Sequence, residues 1–147
     1  MKLRLVDKWP GGSGIIHDFG GSAIASIFKA ASRISKNLFV KLAADGPPPQ
    51  VQQATSVDHG VIGVALSDAE EGSMVPVAIA GIVKVEAGGT IAAGEAVCSD
   101  DSGRAVALPD QEVDESGTNT YTIYYAKRAG IALQSAVEGD LILILLR

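Results

Sequence analysis

Two segments of this chain carry the same pattern 67 residues apart. Residues 63–72 read Gly-Val-Ala-Leu-Ser-Asp-Ala-Glu-Glu-Gly and residues 130–139 read Gly-Ile-Ala-Leu-Gln-Ser-Ala-Val-Glu-Gly, so that 130 − 63 and 139 − 72 both give 67. Strand-like apolar runs follow each segment, at 74–79 and 141–146. Each copy is therefore typical of a strand, a tight turn with Glu and Gly, and a second strand. A repeated hairpin of aliphatic and turn residues predicts a β-structured scaffold or binding protein rather than an active site.

The length and composition predict one domain with an aliphatic core. A chain of 147 residues is long enough to bury roughly 70% of the surface of its unfolded state. Hydrophobic residues make up 47% of the chain but aromatic residues only 5%, so Val, Ile, Leu and Ala must fill the core.

The distribution of charge argues against a nucleic-acid partner. The formal net charge is −5, whereas a protein that binds DNA or RNA needs a basic face. Basic residues concentrate in the first third of the chain, and carboxylates crowd residues 110–115. This asymmetry suggests that the two regions meet different partners.

Cysteine usage and the apolar runs predict a soluble protein of a reducing compartment. Cys98 is the only cysteine, so no disulfide forms within the chain. The start of the chain lacks the apolar segment of a signal peptide. The longest apolar run, residues 141–146, is far too short to cross a bilayer, so no membrane partner is expected.

Residues 1–21 are predicted to form an extended N-terminal arm. The segment 10–14 reads Pro-Gly-Gly-Ser-Gly, which interrupts helices and strands. The arm nevertheless carries apolar side chains in which disordered tails are poor, and we expect these to dock on a partner or a neighbouring copy: Trp9, Ile15, Ile16 and Phe19. Lys2, Arg4 and Lys8 would steer the arm towards an acidic surface. The alternative is an arm that folds back and caps its own domain.

Residues 22–37 are predicted to form an amphipathic helix. Ser22 is a suitable N-cap, and the cationic side chains near the end of the segment complement a helix dipole. The apolar residues fall on one stripe at helical spacing: Ile24, Ile27, Phe28, Ala31 and Ile34.

From residue 38 onwards the period of the apolar residues changes to two, which predicts a β domain over residues 38–147. Short strands separated by turn residues favour a β-sandwich or barrel. The predicted strands include 38–42, 61–66, 74–79, 82–86, 96–98, 104–108, 121–125, 129–133 and 141–146, with a bend or bulge at Gly81. The fold class is thus mainly β, with one N-terminal helix and an arm.

Known catalytic and metal-binding patterns are missing from the sequence. Ser56, Asp58 and His59 are neighbours along the chain, which does not orient a catalytic triad. The two histidines, His17 and His59, are too few for a zinc site with the single cysteine. We therefore expect no catalytic residue, no cofactor and no metal.

One pattern associated with enzymes leaves a second function open. The turn-rich rhythm of residues 81–97 is similar to that of biotinyl or lipoyl carrier domains. In that family the modified lysine lies at an exposed hairpin tip, whereas Lys84 lies within a predicted strand, between Val83 and Val85. The alternative function is such a carrier or a small β-barrel binding module, and a mass shift on Lys84 would support it.

Residues 38–146 as a whole resemble the decoration or cement proteins of tailed-phage capsids. The order and spacing of several short pieces carry the resemblance: 39–42 with Asp45-Gly46, 61–66, Glu71-Gly72, 75–77, 81–85, 93–97, 101–105, 129–133 and 138–141. The Pro47-Pro48-Pro49 insert and the arm with Trp9 are not part of the family pattern, which suggests a different mode of attachment.

The resemblance implies a structural protein of the virion, located on the capsid surface and assembled in the host cytoplasm. Its implied partners are the major capsid protein and further copies of itself in a homotrimer, with dimeric or monomeric placement left open. It implies binding to the outer capsid surface, where the protein stabilises contacts between capsid subunits. A tail or head-completion component is a third hypothesis, distinguished by a copy number per particle near that of a ring.

Overall fold

A computed structural model describes residues 14–18, 21–56, 60–109 and 128–146, with the backbone alone for residues 14–18 and 21. These residues form ten β-strands of one sheet, so the mainly-β prediction is confirmed. In the described ranges no helix is long and apolar enough to cross a membrane. The strands are β1 (Gly14–Asp18), β2 (Gly21–Ala30), β3 (Phe39–Ala44), β4 (Gln50–Gln53), β5 (Val61–Ala65), β6 (Met74–Glu86), β7 (Ala96–Ser99), β8 (Ala105–Ala107), β9 (Gly130–Ala132) and β10 (Leu141–Leu146).

Five strands in the first half of the molecule close into a ring. β2 pairs in parallel with β4, and β4, β3, β5 and β6 then follow in antiparallel pairs. The first half of β6 returns to β2, where residues 74–78 pair with residues 25–29. We call this unit repeat 1.

A second ring of the same design begins on the same long strand. The second half of β6, residues 81–86, pairs with β10, and β10, β9, β7 and β8 follow in antiparallel pairs. A parallel bridge between Ala87 and Ala105 closes this ring, which we call repeat 2. The 13-residue β6 is therefore the last strand of repeat 1 and the first strand of repeat 2.

The two repeats match at the level of individual backbone hydrogen bonds. Ile34 and Ala69 form an isolated antiparallel bridge, and Ile91 and Ala136 form its counterpart. The pairing of Phe39 with Val64 and of Val64 with Ala78 recurs as that of Ala96 with Ile131 and of Ile131 with Leu145. The 67-residue offset of the hairpins thus belongs to a duplication of the whole five-stranded unit.

Each repeat fills its interior with small aliphatic side chains. In repeat 1 the buried cluster includes Ile34, Val40, Val51, Val75 and Val77. In repeat 2 the equivalent positions contribute to a larger cluster, which includes Val83, Val85, Ile91, Val97, Ile142 and Ile144. This cluster also includes four residues of repeat 1: Phe39, Ala54, Val64 and Ala78. Burial of each such side chain is worth roughly 1.5–3 kcal/mol, so the cluster joins the two repeats firmly.

The predicted helix over residues 22–37 is wrong. Residues 21–30 form β2, and residues 31–38 are bends and turns around the bridge at Ile34. Ala23, Ala25 and Ala30 enter the core while Ile24, the first residue of the predicted apolar stripe, is 48% exposed. Pairing with three neighbouring strands outweighs local helical spacing here, because β2 fills the gap that would otherwise open the ring.

The pairing of β2 with β6 contains one irregularity. Ile24 pairs with Ala80 and Ala25 with Ala78, so Ile79 has no partner on β2 and forms a bulge. Gly81 follows the bulge with φ of 100°, a conformation that suits glycine. Beyond the bulge, residues 80–82 still pair with β2, and residues 81–86 pair with β10.

Candidate functional site

The predicted binding residues of the arm fall largely outside the described part of the chain. This holds for Lys2, Arg4, Lys8, Trp9 and Phe19. The other two, Ile15 and Ile16, lie in β1, whose register places Ile15 opposite Ile24 and Ile16 opposite Ala23. The binding role predicted for the arm therefore stays a prediction.

β1 lies at one end of the sheet and leaves a backbone edge unpaired by any described strand. Its pairing partner is β2, which it meets in five antiparallel positions. The edge of such a strand offers a row of N–H and C=O groups to which an extended segment of another protein can add. β1 thus contains two of the predicted anchor residues and also forms an edge to which a strand of another protein can pair.

Two exposed aliphatic side chains lie on β2 and β6, which pair with each other. Ile24, on β2, is 48% exposed, and Ile79, at the bulge of β6, is 41% exposed. A small depression of about 100 Å³ opens next to Ile79 and is lined by Val61, Ile62, Gly63, Ile79, Arg128, Ala129 and Leu146. Sites for small molecules usually measure about 300–1,000 Å³, so this depression suits a side chain of a partner better than a metabolite.

A charged cluster fastens the turns of repeat 2. Arg104 Nε donates to Asp100 Oδ2 at 2.9 Å, and Arg104 Nη1 donates to Glu138 Oε1 at 3.2 Å. The neighbouring Asp100 carboxylate raises the pKa of the Arg104 guanidinium above its usual value, mainly through Coulombic attraction. The cluster ties the β7–β8 turn to the β9–β10 turn and is structural in character.

Only some of the residues considered for chemistry lie in the described ranges. No three His, Cys, Asp or Glu side chains there come together as metal ligands. Asp58, His59 and the residues of the acidic segment 110–115 lie outside those ranges. Lys84 is half-buried near the end of β6, where it pairs with Leu143, and not at the tip of a hairpin as in carrier domains.

Comparison with protein families identifies the family of this chain. The model of the phage cement protein family matches residues 20–147. The chain belongs to the phage cement protein family. As a cement protein it is a structural protein of a phage head, and that family suggests a role without catalysis.

A solved structure shows the same fold. The crystal structure of the N-terminal base of the head fibre protein gp8.5 of bacteriophage phi29 superposes on this cement protein with a TM-score of 0.62. The two are 19% identical, and the match covers 84% of this chain and 92% of the other. No curated protein matches the sequence.

The sequence pattern missed the seam between the two repeats. It detected the hairpins at 63–79 and 130–146 because their turn residues recur at one offset. The strands before them recur at other offsets, since 91 − 34 is 57 whereas 136 − 69 is 67. The unequal length of the loops therefore hides the rest of the duplication from a search at one fixed offset.

Proposed function

We propose that this cement protein binds the outer surface of a phage capsid and stabilises contacts between major capsid protein subunits. The family match over residues 20–147 carries the proposal, and the open edge of β1 supports it. The fold shared with a head fibre base supports a place on the phage head. The protein would be assembled onto the shell in the host cytoplasm and remain in the virion.

The arm, residues 1–21, is the proposed anchor to the capsid or to a neighbouring copy. Burial of Trp9, Ile15, Ile16 or Phe19 is worth roughly 1.5–3 kcal/mol for each side chain. Ordering the backbone costs about 1–2 kcal/mol per residue, so several of these contacts are needed together. Strand addition along the edge of β1 supplies further backbone hydrogen bonds.

Electrostatic attraction contributes mainly to the rate of attachment. Lys2, Arg4 and Lys8 would attract the arm to an acidic surface of the shell, while the rest of the chain carries the net negative charge. In this proposal the duplicated β unit forms the rigid body that spans neighbouring subunits, and copies associate as a homotrimer.

Removal of residues 1–13, which precede β1, is expected to abolish decoration of capsids without unfolding the protein. Purified particles that lack the cement protein are mixed with full-length or shortened protein, and bound copies are quantified on gels after sedimentation. We expect occupancy to fall at least about tenfold, which corresponds to about 1.4 kcal/mol.

Two controls make this experiment decisive. The variant Leu42→Ser removes an apolar side chain that is 51% exposed on β3, and should keep full occupancy. Circular dichroism must show that the shortened protein retains its β structure. Full occupancy by the folded, shortened protein would refute a role of residues 1–13, including Trp9 and the three cationic side chains, in anchoring. A few copies per particle would favour a tail or head-completion role.

A further inference from the structure

An apolar face of repeat 1 is completely covered by repeat 2. Four side chains form this junction face, and each has 0% exposure: Phe39, Ala54, Val64 and Ala78. They belong to the same buried cluster as Val83 and Ile144 of repeat 2. Backbone groups also cross the seam, because Phe39 N–H donates to Gly103 C=O at 2.7 Å and Glu86 N–H donates to Asn37 C=O at 2.9 Å.

The same face exists on repeat 2, where no described residue covers it completely. The strand pairings identify the residues of repeat 2 that correspond to the junction face. The hydrogen bond from Leu108 N–H to Ala96 C=O, which matches the bond from Ala54 N–H to Phe39 C=O, agrees with this assignment. The corresponding residues are Ala96, Leu108, Ile131 and Leu145. All four are apolar, and all four are half-buried where their counterparts are fully buried. We call them the end face.

We propose that the end face binds repeat 1 of a second copy of this chain. Within one molecule the equivalent face binds a repeat of this same design, so another repeat of that design is the occupant whose shape is already shown to fit. This inference rests on the self-association proposed above and names the surface that performs it.

The surface that would meet the end face is also available. Repeat 2 covers the junction face partly with its β7–β8 turn, where Gln53 Nε2 donates to Ser102 C=O at 2.7 Å and Ser56 bonds to Asp101. The counterpart of this turn in repeat 1 is the β3–β4 turn, residues 45–49, of which residues 45–48 are exposed. In repeat 1, β1 pairs with β2 and occupies the position at which a strand of a second copy would pair. The proposed contact between copies therefore uses side chains and the β3–β4 turn.

Such a contact joins two different surfaces and is therefore heterologous. Heterologous contacts produce closed rings when the rotation between copies closes, and open chains when it does not. A ring of copies on the shell follows from the first case, with the end face of each copy buried by the next.

The test measures self-association of the full-length protein without capsids, so failure of capsid attachment does not affect it. Mass photometry and sedimentation velocity are recorded over a series of protein concentrations for the wild type and for Leu145→Asp. We expect the wild type to form a defined multiple of its 15.1 kDa mass, and Leu145→Asp to dissociate at concentrations at least about 100-fold higher.

The matched control is Val137→Glu. Val137 is 58% exposed on repeat 2, outside the end face, and repeat 1 carries Glu70 at the equivalent position. This control should associate like the wild type. If Leu145→Asp fails to fold, an Asp45→Cys chain is mixed with an Ala107→Cys chain. Ala107 is the counterpart of Gln53, which contacts the β7–β8 turn at the seam, and Asp45 lies in the β3–β4 turn that would take the place of that turn between copies.

A disulfide-linked pair of chains that forms only in the mixture supports the proposed contact. A wild type that stays monomeric throughout overturns the proposal, as does association that Leu145→Asp leaves unchanged. With a monomer, maleimide labelling of a Leu145→Cys variant then separates the two other occupants. A blocked thiol indicates cover by the segment 110–127 of the same chain, and a reactive thiol indicates a face left for the capsid.

Discussion

Gly63 and Gly130 occupy equivalent positions at which the fold has no room for a side chain. A Cβ atom at Gly63 would overlap the carbonyl oxygen of Ala78, and one at Gly130 would overlap that of Leu145. In both repeats the strand must approach its neighbour's backbone closely, because small rings leave little space between strands. The recurrence of glycine in the sequence repeat thus reflects a steric requirement.

The substitution Gly63→Ala is expected to destabilise the protein by about 3 kcal/mol, since the obstructing atom is backbone and cannot rotate away. Gly89→Ala is the control, because its added Cβ lies 3.9 Å from Val106 Cγ1, an ordinary contact. The free energy of unfolding is measured by urea titration for both variants. Equal stabilities of the two variants would show that the strands separate easily at Gly63.

Single residues predicted the structure correctly where they determine the conformation of a turn or a close approach of two strands. The glycines and acidic residues of the two hairpins predicted both hairpins, since their backbone requirements are local. The proposed anchor residues could be identified as apolar residues on a chain that glycines interrupt, but only Ile15 and Ile16 lie in described structure. The end face could not be predicted, because Ala96 and Leu145 look like ordinary strand residues until their counterparts are seen buried.

At the scale of elements, the β7–β8 hairpin depends on one carboxylate. Asp100 accepts hydrogen bonds from Ser102 N–H at 2.8 Å, Arg104 N–H at 2.9 Å and Arg104 Nε at 2.9 Å. The same turn supplies the groups that Gln53 and Phe39 of repeat 1 contact across the seam. Asp100 therefore positions an element on which the junction of the repeats relies.

Asp100→Ala is expected to lower the free energy of unfolding by about 2 kcal/mol, because two backbone donors and a guanidinium lose their acceptor. Glu138→Ala removes the other carboxylate beside Arg104. Because the Glu138 side chain is 68% exposed, this change should alter the free energy of unfolding by less than about 1 kcal/mol. Thermal and urea unfolding measure both. A larger loss for Glu138→Ala would mean that the outer ion pair holds the turn.

β2 shows why an element can be assigned wrongly from sequence alone. Its apolar residues fit a helical stripe, yet the segment pairs with β1, β4 and β6. Those partners are up to several tens of residues away, so local spacing carries no information about them. Most strands from residue 39 onwards were easier to predict because turn residues bound them, although β4 was not among the predicted strands.

At the scale of the whole molecule, the two repeats share both a strand and a core. The junction face of repeat 1 becomes buried only when repeat 2 is folded, and β6 serves both rings. A repeat that buries its apolar face against its neighbour depends on that neighbour for stability. The duplication therefore produced one cooperative structure rather than two domains in tandem.

Urea unfolding of the full chain is expected to follow one transition, seen alike by circular dichroism and by the fluorescence of a tryptophan introduced at Phe39. A fragment of residues 14–79 should remain unfolded, since the junction face would be left in water. Two separated transitions, or a folded fragment, would contradict the dependence of repeat 1 on repeat 2.

The unbroken course of β6 also determines how the molecule bears load. Six positions of β10 are paired with residues 81–86, and the residues just before them in the same strand hold β2 and β5. Tension that reaches one ring therefore passes to the other through covalent backbone instead of through a non-covalent seam. Pulling the two rings apart along β6 therefore requires shearing β6 from the strands paired with it in one of the rings.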